Sequence, residues 1–205
     1  MTNGQKETED QIFEAATKVF QEKGYAGARM QEIADEAEIN KSMLHYYFRS
    51  KEKLFRQVLQ KQIGKIFPTL FNVLSSENPL DEKVREMIEV YYSYLKDNPS
   101  LPQFVVMEMN NHPDEFRKFL QEEGISPPQG FIKQIQVHAV KGEITPIDPR
   151  QFIISIVGLI LFPFLAQTMI KTVFNLDEAG YMQFLKERKD FLADFILNAI
   201  KFEAP

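Results

Sequence analysis

Between Lys41 and Lys65 the chain carries 7 basic side chains and 1 acidic one, while residues 1–40 carry 4 and 9 and residues 66–205 carry 13 and 19. A formal net charge of -5 over all 205 residues excludes a protein that coats nucleic acid through bulk positive charge, so the basic segment is a local electrostatic footprint. Its side chains suit contact with a duplex. Lys41 brings a cation, and Ser42, His45, Tyr46 and Tyr47 bring hydroxyl and imidazole groups that bond phosphates or base edges. Met43 cannot form the bidentate hydrogen bonds that read guanine or adenine, which leaves it apolar contact with a thymine methyl. Ser50 and Lys51, at the start of the next helical pattern, combine free backbone N–H groups with a cation and are expected to hold a phosphate.

Helical spacing must position these groups. With Leu44 and Phe48 turned inward, a rotation of about 100° per residue points Ser42, Met43 and Tyr46 outward and sets His45, Tyr47 and Arg49 on the flanks. A helix from Lys41 to Phe48 rises about 12 Å and fits a major groove about 12 Å wide. Before it, Arg29 to Glu38 carries Ile33, Ala34 and Ala37 on one side, Ile39 fills the turn, and Asn40 caps the short helix. An earlier helix opens on the capping pair Thr8 and Gln11, continues through Ile12, Ala16, Val19 and Phe20, and stops at Gly24. Three short helices with tight turns describe a helix-turn-helix unit. Ser50 then caps a helix whose stripe of Leu54, Phe55, Val58, Leu59, Ile63 and Ile66 runs to Pro68.

The rest of the chain reads as further helices, which makes the expected class all-α. The period-two run Ile135, Val137, Ala139 fits a strand, but Phe131 and Ile135 fit a helix equally well and the length favours it. Asp148, Pro149 and Gln151 form a strong helix start. Phe152 to Ile170 then runs without a charge; Ser155, Gly158, Pro163, Gln167 and Thr168 interrupt it, and no Trp or Tyr belt brackets it, so it is expected to be buried by protein and not by a membrane. Asp177 caps a last helix in which Phe184, Phe191, Phe195 and Phe202 recur. The polar, acidic N-terminus has no apolar leader segment.

Other chemistries find little support. Cys is absent, which removes disulfides, thiolate nucleophiles and cysteine-ligated metals. His45, His112 and His138 are too scattered for a metal site, and no glycine-rich phosphate loop or G-x-S-x-G elbow occurs. No catalytic residue, metal or cofactor is expected, and the chain is read as a non-enzyme.

The run GYAGARMQEIADEAEINKSMLHYYFRSKEKLF, Gly24 to Phe55, resembles the DNA-binding domain of the TetR family of bacterial transcriptional regulators. Gly24 with Tyr25, Ile33 with Ala34, Ala37, Ile39, Leu44, Tyr47 with Phe48, Lys51 with Glu52, and Leu54 with Phe55 carry the likeness. Where that family commonly has a capping Thr, this chain has Ala28 followed by Arg29, which gives the phosphate contact to Arg29; Ser42, Met43 and His45 also depart from the usual residues. The resemblance implies a cytoplasmic regulator with a helix-turn-helix domain at 1–50, a connecting helix at 51–67 and a helical ligand-binding and dimerisation domain at 68–205. The expected DNA contacts are Arg29, Gln31, Lys41, Ser42, Met43, His45, Tyr46, Tyr47 and Lys51. Tyr91, Tyr94, Phe104, Met107, Glu108, Asn111, His112 and Phe162 are the candidates for a pocket that takes a largely apolar small molecule, with Glu108 favouring a cation if it faces the cavity. One short recognition helix reads too few base pairs, so a homodimer on a palindromic operator is expected, paired through the apolar helices at 149–174 and 178–202.

Overall fold

The computed structural model describes the backbone of residues 3–201 and the side chains from Glu7 to Lys201. Among the described residues the secondary structure is helical, apart from one isolated antiparallel bridge between Ile144 and Lys201. The chain divides into two compact units: residues up to Lys65 with Gln103–Ile125, and Ile66–Pro102 with the residues from Ser126 onward.

The first unit contains α1 (Asn3–Gly27), α2 (Met30–Glu36), α3 (Lys41–Tyr47), the first part of α4 (Lys51–Ser75), most of α6 (Leu101–Asn111) and α7 (Pro113–Glu122). α1 begins at Asn3, so Thr8 lies inside the helix and is not its cap. It breaks where the sequence indicates, at Gly24, whose φ of 67° is a left-handed conformation that glycine adopts without a side-chain clash. A Cβ there would also stand 2.4 Å from Cε of Met107. Ile12, Ala16 and Phe20 of α1, Ile33 and Ala34 of α2, Leu44 of α3 and Leu54 of α4 are fully or almost fully buried and form the core of the unit. Edge-to-face ring pairs Phe13–Phe48 at 5.3 Å and Phe20–Phe55 at 5.0 Å tie the end of α3 and the start of α4 to α1.

These boundaries differ from a division at 50 and 67, because α6 and α7 pack with α1 and α4. Phe104 meets Phe55 at 5.4 Å, and the carboxylate of Glu108 accepts a hydrogen bond from the Tyr25 N–H at 3.0 Å. Neither contact is local in sequence, so periodicity alone does not reveal them.

The second unit contains α5 (Leu80–Asp97), α8 (Gln129–Val140), α9 (Pro149–Leu165), α10 (Gln167–Val173) and α11 (Glu178–Ala199). Its core draws Val84, Met87 and Ile88 from α5, Phe131 and Ile135 from α8, Ile156 and Ile160 from α9, and Leu192 and Ile196 from α11. The period-two run is therefore helical. Asp148 caps α9 by accepting from the Arg150 N–H at 2.8 Å, and Asp177 caps α11 by accepting from the Gly180 N–H at 2.7 Å. Pro163 has no N–H to offer the Leu159 carbonyl one turn back; Arg188 donates to that carbonyl instead at 3.1 Å. The uncharged run does not form one continuous helix: α9 ends at Leu165, and α10 leaves at a bend of 70°. Among the described residues no single helix is long and apolar enough to cross a membrane.

Candidate nucleic-acid interface

α2 and α3 form the helix-turn-helix. The turn between them closes with Ile39 N–H donating to the Ala34 carbonyl at 2.9 Å, and Glu38 takes a φ of 53° to make the reversal. Asn40 is the expected cap, its Oδ1 accepting from the Met43 N–H at 2.7 Å. Leu44 is fully buried and Phe48 almost so, while Lys41, Ser42, Met43, His45 and Tyr46 face solvent and Tyr47 is half-buried. Tyr46 is 76% exposed and packs edge-on against Tyr47 at 5.5 Å. Two anchors therefore hold a seven-residue helix whose opposite side is free.

The residues preceding α3 contribute unequally. Arg29 is exposed at the N-cap of α2, and its N–H is bound by the Glu32 carboxylate at 3.1 Å. Hydrogen bonding from Lys23, together with that backbone N–H, holds the Glu32 carboxyl below its usual range. Gln31 is exposed, with its amide donating to Asp35 at 2.8 Å, so a DNA contact from it competes with this bond.

Lys51 departs from the phosphate-facing position expected of it. Its ammonium donates to the carbonyls of Tyr25 at 2.8 Å and Ala28 at 3.1 Å and lies 4.4 Å from the Tyr25 ring centroid. These carbonyls end α1, where unpaired acceptors and the negative end of the helix dipole favour a cation. Lys51 thus fastens α4 to the end of α1. Ser50 behaves as expected, its Oγ accepting from the Lys53 N–H at 3.1 Å.

The ligand candidates are divided between the two units. Phe104, Met107, Glu108, Asn111 and His112 belong to the first unit, whereas Tyr91, Tyr94 and Phe162 belong to the second. Phe162 is half exposed on α9, and burial pushes the Tyr91 hydroxyl up to about 12. Within the first unit, Glu108 and His112 line a cavity of about 280 Å³, which also takes Tyr25 from α1, Phe55 and Leu59 from α4 and Phe116 from α7. Asn111 is exposed, and Phe104 and Met107 do not line the cavity. The contributions of α4 and α7 are not legible in the sequence, because their apolar residues carry the same periodic signal as any core residue. The three carboxylates of Glu52, Glu108 and Glu115 also line it; burial first and then these three charges raise the Tyr25 hydroxyl above its ordinary value.

A helix-turn-helix with a free recognition face, followed by a helical remainder, defines a DNA-binding transcriptional regulator. Residues 12–58 match the model of the bacterial regulatory proteins of the tetR family. The chain is 30% identical to the HTH-type transcriptional regulator RutR of Escherichia coli over 152 residues, covering 71% of this chain and 68% of that one. It is 34% identical to the HTH-type transcriptional repressor NicS of Pseudomonas putida, a match that spans about half of each protein, 49% and 48%. The fold is similar to that of the haemolysin II transcriptional regulator HlyIIR, with a TM-score of 0.68 at 24% identity, over 97% of this chain and 99% of that one. The chain belongs to the TetR family of bacterial transcriptional regulators.

Proposed function

We propose that two copies of this chain bind a palindromic operator as a repressor and leave it when a small molecule enters the helical body. The observation that carries the reading is the outward face of α3, where Ser42, Met43 and Tyr46 are exposed opposite the buried Leu44. Lys41 and Arg29 supply phosphate contacts, His45 and Tyr47 flank the base-reading residues, Gln31 adds a polar contact, and Lys51 positions the motif through the end of α1. Nothing in this role requires catalysis, a metal or a cofactor, and a protein in this role works in the cytoplasm, where bacterial DNA lies.

Pairing of subunits is supported by the apolar side chains left in solvent on the last helices. Ile154 and Phe162 share a face of α9, Phe191 and Phe195 share a face of α11 and stack at 5.4 Å, and Met169, Val173 and Phe174 are exposed between them. A monomer rarely keeps so large an apolar surface in water. The expected interface at 149–174 and 178–202 corresponds to α9, α10 and α11 in this reading; Phe202 lies outside the described residues. Release needs an effector that prefers the state unable to bind DNA, and a shift from 99:1 to 1:99 takes a differential affinity of about 10⁴, or 5.5 kcal/mol. Phe104, Met107, Glu108, Asn111 and His112 in the first unit, and Tyr91, Tyr94 and Phe162 in the second, are the candidates for contact with the effector.

Sedimentation at micromolar concentration tests the assembly. A species of twice the 23.9 kDa chain mass is expected, binding one duplex with two chains. Only a 23.9 kDa species, with or without DNA, contradicts it.

A further inference from the structure

The cavity in the first unit contains an electrostatic imbalance. Glu108 is 2% exposed, and one of its carboxylate oxygens accepts from the Tyr25 N–H, but the other, Oε2, is buried with no hydrogen-bond partner. A buried carboxylate oxygen without a donor is costly, and its natural complement is a cation that brings N–H groups. His112 is close, with Nε2 3.8 Å from Oε2, beyond hydrogen-bond distance, and its ring is held edge-on by Tyr25 at 5.0 Å. Glu52 and Glu115 add two more carboxylates to the wall. The one guanidinium there, Arg56, is directed at Glu52 at 3.5 Å and at Glu122 at 3.7 Å, so carboxylates already claim its charge. The remaining wall is aromatic, with Tyr25, Phe55 and Phe116 offering ring surfaces that attract cations and cover apolar groups.

We propose that this cavity binds a protonated primary or secondary amine with a compact apolar body, its ammonium donating to Oε2 of Glu108 and its body lying among Tyr25, Phe55 and Phe116. The volume of about 280 Å³ lies just below the roughly 300–1,000 Å³ of small-molecule sites, which excludes large polycyclic cations. The ligand is thus charged at one end, more specific than the largely apolar molecule implied by composition. The inference rests on the effector reading above, since Tyr25 and Lys51 join this cavity to the helix-turn-helix through the end of α1.

Titration calorimetry of the full chain at pH 8, where alkylammonium ions keep their charge, tests it. The probes are phenethylammonium, cyclohexylammonium and butylammonium, with 2-phenylethanol as the neutral counterpart of the first and 3-phenylpropionate as the anion. At least one ammonium is expected to bind, phenethylammonium more than about tenfold tighter than 2-phenylethanol, with no binding of the anion. Glu108→Gln is expected to weaken the amine by about thirtyfold, and Glu115→Gln, at an exposed side chain, by only a few-fold. If Glu108→Gln does not fold, the amine-to-alcohol ratio and Glu115→Gln still decide. Failure of all three ammonium ions to bind below about 10 mM overturns the proposal, as does equal affinity for amine and alcohol. Operator affinity measured in parallel separates the two readings: amine binding that leaves it unchanged keeps the site and removes the effector role, whereas release by another molecule without amine binding removes only the site.

Discussion

α3 and the α9–α11 helices both leave large side chains in solvent, but they expose different chemistry. On α3 the exposed set is Ser42, Met43, His45 and Tyr46 beside Lys41, a mixture of hydrogen-bonding, aromatic and cationic groups that water tolerates. On α9–α11 it is Ile154, Phe162, Met169, Val173, Phe174, Phe191 and Phe195, which water does not favour. The first surface suits a polyanion with patterned hydrogen-bonding edges, and the second suits a copy of itself. Exposure alone therefore does not identify a partner; the composition of what is exposed does.

Substitutions can separate the two surfaces. The largest effect is expected from Leu44→Ala. Leu44 is fully buried and is one of two anchors of a seven-residue helix, so its truncation costs about 2–5 kcal/mol. Operator affinity should collapse while gel filtration still reports the assembled species; loss of assembly would show that the two surfaces are not independent. Next, Phe191→Asp with Phe195→Asp places two carboxylates on the stacked pair of α11 and should produce monomers in sedimentation, with operator affinity falling because each α3 then binds alone. Unchanged assembly would remove α11 from the interface.

The smallest effect concerns the start of α9. Hydrogen bonding to the Arg150 guanidinium, then to its backbone N–H, holds the Asp148 carboxyl at about 2, against an ordinary 3.8. Because the folded value is the lower one, the cap stabilises the fold above about pH 4 and loses that contribution as the pH falls from 4 towards 2. Asp148→Ala should lower Tm slightly at neutral pH and make the decline between pH 4 and 2 shallower; parallel curves for the two proteins would contradict the cap assignment.

Reading these surfaces from sequence succeeds where the determinants are local. Leu44 and Phe48 stand one helical turn apart, and once they are assigned inward the outward direction of Ser42, Met43 and Tyr46 follows from helix geometry. Asn40, Ser50, Asp148 and Asp177 are legible because a cap bonds to backbone two or three residues away. Lys51 is not, because its acceptors lie 26 and 23 residues earlier and are backbone carbonyls that leave no side-chain signature. The cavity is hidden for the same reason. Glu108 is 83 residues from the N–H it accepts, and Phe55 and Phe116 read as ordinary core positions until α6 and α7 are placed beside α1 and α4. The bend at Ala166 is a third case: the run from Phe152 to Ile170 has no charge to mark a helix end, yet α9 and α10 meet there at 70°.

Selection of bound fragments from a random duplex pool, performed with the unaltered chain and with Ser42→Ala and Tyr46→Ala, tests the role of α3 most directly. An inverted repeat with half-sites about 34 Å apart is expected for the unaltered chain, and a change in base preference confined to symmetric positions for the variants. An unenriched pool, or an enriched site that both variants read identically, would contradict it.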